Sequence, residues 1–202
     1  RGRIESRATD SGATELVRGS PDPTSCPVEI TRDPTDDTAV IQIDQTRVLL
    51  RKGEWSGWIP LQLRPNLPGE SLVAAVGGPT RIPAMARVYL RAVHPNLDVY
   101  VSPLNIDPQN PAMPIATPAA FASEIAELSG LYYTQGIPED TKALRADALT
   151  EDEFLKMVRL LAVERTKQYE AALQRFEHGF LFFYFGHTDQ LSHIFWRDTD
   201  PQ

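Results

Sequence analysis

Five prolines, Pro103, Pro108, Pro111, Pro114 and Pro118, fall within residues 103–118. Each lacks an amide hydrogen and has a fixed φ, so neither a regular helix nor a central strand can run through the segment. The chain is thereby divided into two parts, and the residue patterns on either side obey different rules.

Before the prolines the grammar is that of strands. Residues 39–43 (AVIQI) and 47–50 (RVLL) flank Asp44-Gln45-Thr46, which predicts a hairpin. Residues 87–93 (RVYLRAV) and 97–101 (LDVYV) alternate around His94-Pro95-Asn96 and predict a second hairpin. Residues 28–31 (VEIT) read as a short strand. Residues 58–63 (WIPLQL) read as another, with Pro60 favouring an edge. Residues 1–27 are polar, with a Ser-Pro-Asp-Pro-Thr-Ser stretch, and read as a loop or extended arm. The expected division is thus an arm over 1–27, a β-rich antiparallel insertion or cap over 28–115, and a helical region over 116–202.

After the prolines the period changes. Thr117 followed by Pro118 predicts a helix start, with an end near Gly130. Thr150-Glu-Asp-Glu153 is a capping box with acids in the first turn. Phe154, Val158, Leu161, Tyr169, Ala172 and Phe176 then recur at helical spacing up to Gly179. Residues 180–185 (FLFFYF) follow with no alternation, as in a parallel strand covered on both faces. This half predicts an α/β arrangement of long helix, buried parallel strand and short helix. Taken alone, the whole chain reads as α+β.

Composition excludes several functions. The net charge of −7 and the lack of a basic cluster with interleaved aromatics argue against binding a nucleic-acid backbone. No apolar run reaches the length of a membrane span. Cys26 is the only cysteine, so there is neither an internal disulfide nor a cysteine-based zinc site.

The chemistry-bearing stretch is 186–193, GHTDQLSH. A polar residue just beyond a parallel strand sits where open α/β sheets bind ligands. If a helix begins there, four residues make about one turn, and Asp189 and His193 project towards one point. A carboxylate with an imidazole suits zinc and similar divalent ions. The plain structural reading of the same residues is a capping Asp and a partly buried His.

Residues 184–193, YFGHTDQLSH, resemble the Asp-x-x-x-His element of the alkaline phosphatase superfamily, in its type I phosphodiesterase/nucleotide pyrophosphatase branch. Residues 97–114, residues 132–140 (YYTQGIPED) and the Phe-Trp after His193 are similar to stretches of bacterial members. The resemblance implies a strand of a central sheet before the element. It also implies that Asp189 and His193 bind one ion of a two-metal centre, zinc in kind, that acts on a phosphate ester substrate. It further implies that the remaining parts of a parent chain complete the site. The family's Thr or Ser nucleophile has no counterpart here, and no Asp-His dipeptide supplies its later ligand pair. Ser192 stands where many members have Gly, and His187 is not carried over. The chain therefore reads as a central fragment of a metal-dependent phosphoric ester hydrolase, inactive alone. Its start without Met and its end soon after the element fit that expectation.

The alternative is a non-catalytic β-rich binding or cap module whose helical tail only packs; another is a complete small structural protein. Trp55 and Trp58 read as plugs of the β core rather than a substrate wall. Residues 72–80 (LVAAVGGPT) lack the lysine and spacing of a phosphate loop. Residues 33–37 (DPTDD) lack calcium-loop spacing and read as a solvated turn. His94 lies in a turn and His178 at a helix end. Tyr132 and Tyr133 are expected to pack the short helix.

Overall fold

A computed structural model describes residues 2–6, 24–63 and 81–196. The stretch 72–80 lies outside the described residues. The chain divides into two compact units, Arg1–Met113 and Pro114–Gln202. Together they make an α+β chain, and all its strand pairs among the described residues are antiparallel.

The first unit holds eight strands among the described residues. β1 (Gly2–Ser6), β2 (Thr24–Arg32), β3 (Thr38–Ile43) and β4 (Thr46–Arg51) form one sheet in that order. Two stretches of the expected arm are thus strands: residues 2–6 pair with the extended β2, Ile4 opposite Cys26. Polar composition hid them, because a sheet edge needs only backbone partners on one side. The β3–β4 hairpin forms, but its turn is Asp44-Gln45 rather than the three residues expected, because Thr46 already pairs with Ile43. Asp44 takes a φ of 51°, a left-handed conformation that Asp tolerates better than most residues. Alternation along β3 puts Ala39, Ile41 and Ile43 inward, each 1% exposed.

β5 (Ile59–Leu63) pairs with β6 (Ile82–Ala86), and β7 (Val88–Ala92) pairs with β8 (Asp98–Val101). β6 was not anticipated. Arg87 separates it from β7, and only 88–92 of the expected 87–93 run is strand. Arg87 is 7% exposed, donates to the Ser56 carbonyl at 3.2 Å and lies 4.6 Å over the Trp58 ring. Trp55 packs on Tyr89 and Tyr100, with ring centroids 5.0 and 5.7 Å apart. Both tryptophans are half-buried and pack on side chains of the β unit without joining its buried core.

The second unit is helical. α1 (Phe121–Ser129), α2 (Thr141–Arg145), α3 (Glu151–Arg175) and α4 (Gly186–Phe195) follow in order. α1 starts three residues later than Thr117-Pro118 predicted, and ends as expected at Gly130, whose φ is 83°. Both bonds of the capping box at α3 form. The Glu153 amide donates to the Thr150 hydroxyl at 3.3 Å, and the Thr150 amide donates to Glu153 at 2.8 Å. A Thr cap of this kind stabilises a helix by about 1 kcal/mol. The inward stripe of α3 is Phe154, Met157, Val158, Leu161, Gln168 and Ala171. It meets Ala122, Ile125 and Ala126, the buried face of α1. The helix ends at Arg175 rather than near Gly179, so Phe176 lies outside the stripe and is 40% exposed.

Residues 180–185 correct the expectation of a buried parallel strand. They form no ladder with any strand among the described residues. Their exposure alternates, with Phe180 89%, Phe182 73% and Tyr184 59% exposed and the residues between them partly buried. Inward, Phe183 and Phe185 pack on Tyr169 of α3 at 5.4 and 5.5 Å. The reason is geometric: within this unit α3 covers one face of the segment and nothing described covers the other. Phe183→Ala should therefore cost about 2 kcal/mol, since two aromatic contacts and much of the burial are lost. Phe182→Ala should stay within about 0.5 kcal/mol of the parent. Urea unfolding of both variants checks this, and equal losses would mean that both faces of the segment are covered.

Candidate metal site at the start of the last helix

α4 begins at Gly186, three residues before Asp189. Asp189 is therefore not a capping residue, and no side chain caps this helix. It lies in the first turn, where the helix dipole favours a carboxylate, and His193 lies in the last turn, where it favours a cation. One turn of helix brings the two side chains together. His193 Nε2 stands 3.5 Å from Asp189 Oδ1, and the side chains are 77% and 48% exposed. As an ion pair at that exposure the contact stabilises little.

The same distance can be compared with metal geometry. Zinc takes imidazole nitrogen at about 2.0–2.1 Å and carboxylate oxygen at about 2.0–2.2 Å, in a tetrahedron. Two such ligands lie about 3.3–3.5 Å apart. The 3.5 Å between Nε2 and Oδ1 is of that size, as it is in a direct imidazole–carboxylate contact, and both side chains are open to solvent. Among the described residues no set of three His, Cys, Asp or Glu side chains is grouped to hold an ion.

Tyr184 meets the pair at Asp189, and Glu139 interacts with both Tyr184 and His187; of these the sequence drew notice only to His187, which was set aside. Tyr184 lies on the exposed face of the apolar segment. Its hydroxyl is held above the ordinary tyrosine range by desolvation, then by the charge of Asp189, a hydrogen bond to it, and the charge of Glu139. Glu139, just before α2, is 4% exposed. Burial pushes its carboxyl above the usual range, while its own amide, Arg165 and His187 pull it down. Arg165 of α3 also donates to Gln168 at 3.0 Å. His187 lies in the first turn of α4, edge-on to Phe185 at 5.9 Å. Its Nδ1 is buried and makes no hydrogen bond among the described residues. Spacing could not mark Glu139, which is separated from Asp189 by fifty residues.

The other candidates resolve as structure. Asp33 Oδ1 accepts from the Thr35 amide, the Thr35 hydroxyl and the Asp36 amide at 2.8, 3.0 and 2.9 Å, which is a self-contained turn. Tyr132 donates to the Ala122 carbonyl of α1 at 3.1 Å, and Tyr133 is buried. His178 lies beyond the end of α3, in the bend before the apolar segment. No described helix is long and apolar enough to cross a membrane.

No family model matches the chain, and no curated protein or solved structure matches it.

Proposed function

We propose that this chain is part of a metal-dependent phosphoric ester hydrolase of the phosphodiesterase/nucleotide pyrophosphatase kind, to which it contributes Asp189 and His193. The observation that carries the reading is the 3.5 Å separation of His193 Nε2 and Asp189 Oδ1, one turn apart at the end of an apolar segment. It fits two ligands of one zinc ion. The resemblance of residues 184–193 to the family's Asp-x-x-x-His element supports the same two residues.

In this reading the alkaline-phosphatase-like core is contributed by α3, residues 180–185 and α4. The apolar segment is a strand whose sheet neighbours lie in other parts of a parent chain, and the β unit is an insertion or cap. Two divalent ions, zinc in kind, would clamp a phosphoryl group and stabilise the attacking and leaving oxygens. Asp189 and His193 would hold one of them, with the imidazole neutral and the carboxylate ionised. Tyr184 orients the ligating carboxylate from outside the metal shell. The second reading is a non-catalytic binding or cap module.

Metal analysis separates the two. The full-length protein should retain two divalent ions per chain, and His193→Ala should retain one at most. A metal-free full-length protein with no turnover of phosphate esters would leave the non-catalytic module as the reading.

A further inference from the structure

Phe180, Phe182 and Tyr184 stand at alternate positions of the segment 180–185 and are 89%, 73% and 59% exposed. Phe183 and Phe185 turn the other way and pack on Tyr169 of α3. The three exposed rings therefore form a ridge on the face that α3 leaves open. The Tyr184 ring lies close over the next glycine: a Cβ on Gly186 would stand 3.0 Å from its Cε1. Residues 180–185 contain no charged group, and the Tyr184 hydroxyl is their only polar side-chain atom. Rings of this kind carry about 150–250 Å² of surface each, so the ridge presents roughly 300–500 Å², most of it apolar. A contiguous apolar patch of that size on a domain surface marks an interaction site.

A partner face that is charged or rich in hydrogen-bonding groups would find nothing to pair with here, so the opposing face must be apolar as well. A second copy of the chain supplies one in register. A two-fold axis through Phe182 sets Phe182 against its own counterpart and Phe180 against the counterpart of Tyr184, so every ring of the ridge gains an aromatic partner. Two copies together bury roughly 700–1,000 Å², the low end for a specific contact, which makes the dimer weak and reversible. We infer that the ridge of Phe180, Phe182 and Tyr184 is a self-association surface, on which two copies of this chain pack ridge to ridge. Sheet neighbours from a longer chain would pair with the edges of the segment and leave this face open, so the inference does not rest on the metal reading.

Sedimentation velocity of the 202-residue chain tests it, with urea unfolding on the same samples. The parent should pass from monomer to dimer over roughly 10–500 μM. Phe182→Ser should weaken dimerisation about tenfold or more, as loss of a central aromatic contact does. At dilutions where the parent is monomeric, its unfolding midpoint should match the parent's. Val163→Ser, at a 56% exposed apolar position of α3, should dimerise within about twofold of the parent. Because Phe182 faces its own counterpart, Phe182→Lys and Phe182→Glu should each be monomeric alone and should associate when mixed. A parent that stays monomeric throughout overturns the inference and leaves the ridge to a segment of a longer chain or to another protein. Equal association by the parent and Phe182→Ser overturns it as well, because another surface then forms the dimer. So does a lower unfolding midpoint of monomeric Phe182→Ser, which would make Phe182 a folding residue. Larger species in place of a dimer would show pairing through the segment's edges, and failure of the Lys and Glu variants to associate on mixing would rule out the two-fold contact; either result overturns the ridge-to-ridge arrangement.

Discussion

Asp189→Asn in the full-length protein should lower phosphoesterase turnover by roughly a hundredfold or more, because loss of an outer-shell partner already costs about 10–100-fold. The substitution keeps the shape of the side chain and removes the charge that a divalent ion needs. Stability should hardly change. Asp189 caps nothing, and its side chain is 48% exposed. What the fold loses is a first-turn carboxylate on the helix dipole, about 0.3–1 kcal/mol, and part of the Tyr184 contact. Steady-state kinetics, metal content and urea unfolding on one preparation measure all three. Near-normal turnover with full metal content would make Asp189 a structural residue of α4.

That separation of function from stability follows from where the pair sits. A ligand pair on an exposed helix face can be lost without touching the stripe from Phe154 to Ala171 that holds α3 in place. Phe183, by contrast, carries no chemistry and packs between Tyr169 and Phe185. The unit therefore offers independent substitutions for its two tasks.

The parts of the fold that the sequence made legible are those set by local chemistry. The Thr150 capping box, the β3–β4 hairpin and the β7–β8 hairpin each need only a few adjacent residues, and each forms. What was missed depends on distant partners. β1 is a strand only because β2 pairs with it, and β6 is cut from β7 by an arginine whose charge is absorbed by Trp58 and the Ser56 carbonyl. The segment 180–185 shows the limit most plainly. An apolar run says that both faces want cover; it does not say that the cover is present, and here α3 supplies one face. The same division holds at the site. Asp189 and His193 were visible because helical periodicity brings them together. Glu139, which interacts with Tyr184 and His187, was not, since fifty residues separate it from Asp189 and no spacing encodes that approach.

The 202-residue chain on its own should release no nitrophenol from nitrophenyl phosphate, nor from the corresponding diester, in zinc or manganese. A catalytic zinc takes about three protein ligands with a water in the fourth position, and the described residues group two. Both ligands are exposed, so water competes for the ion and zinc should bind weakly. No Thr or Ser nucleophile of the family's kind accompanies the pair. Residues that act as one unit do not leave a proportional share of activity when some are missing, so the expected turnover is background rather than a fraction. On the proposed reading, a longer chain that supplies the further ligands and the nucleophile should gain tight metal binding and turnover together. Tight binding without turnover would place the pair in a structural metal site. Turnover by the isolated chain that disappears in His193→Ala would show a complete centre within these residues, and the reading of the pair as half a site would fall.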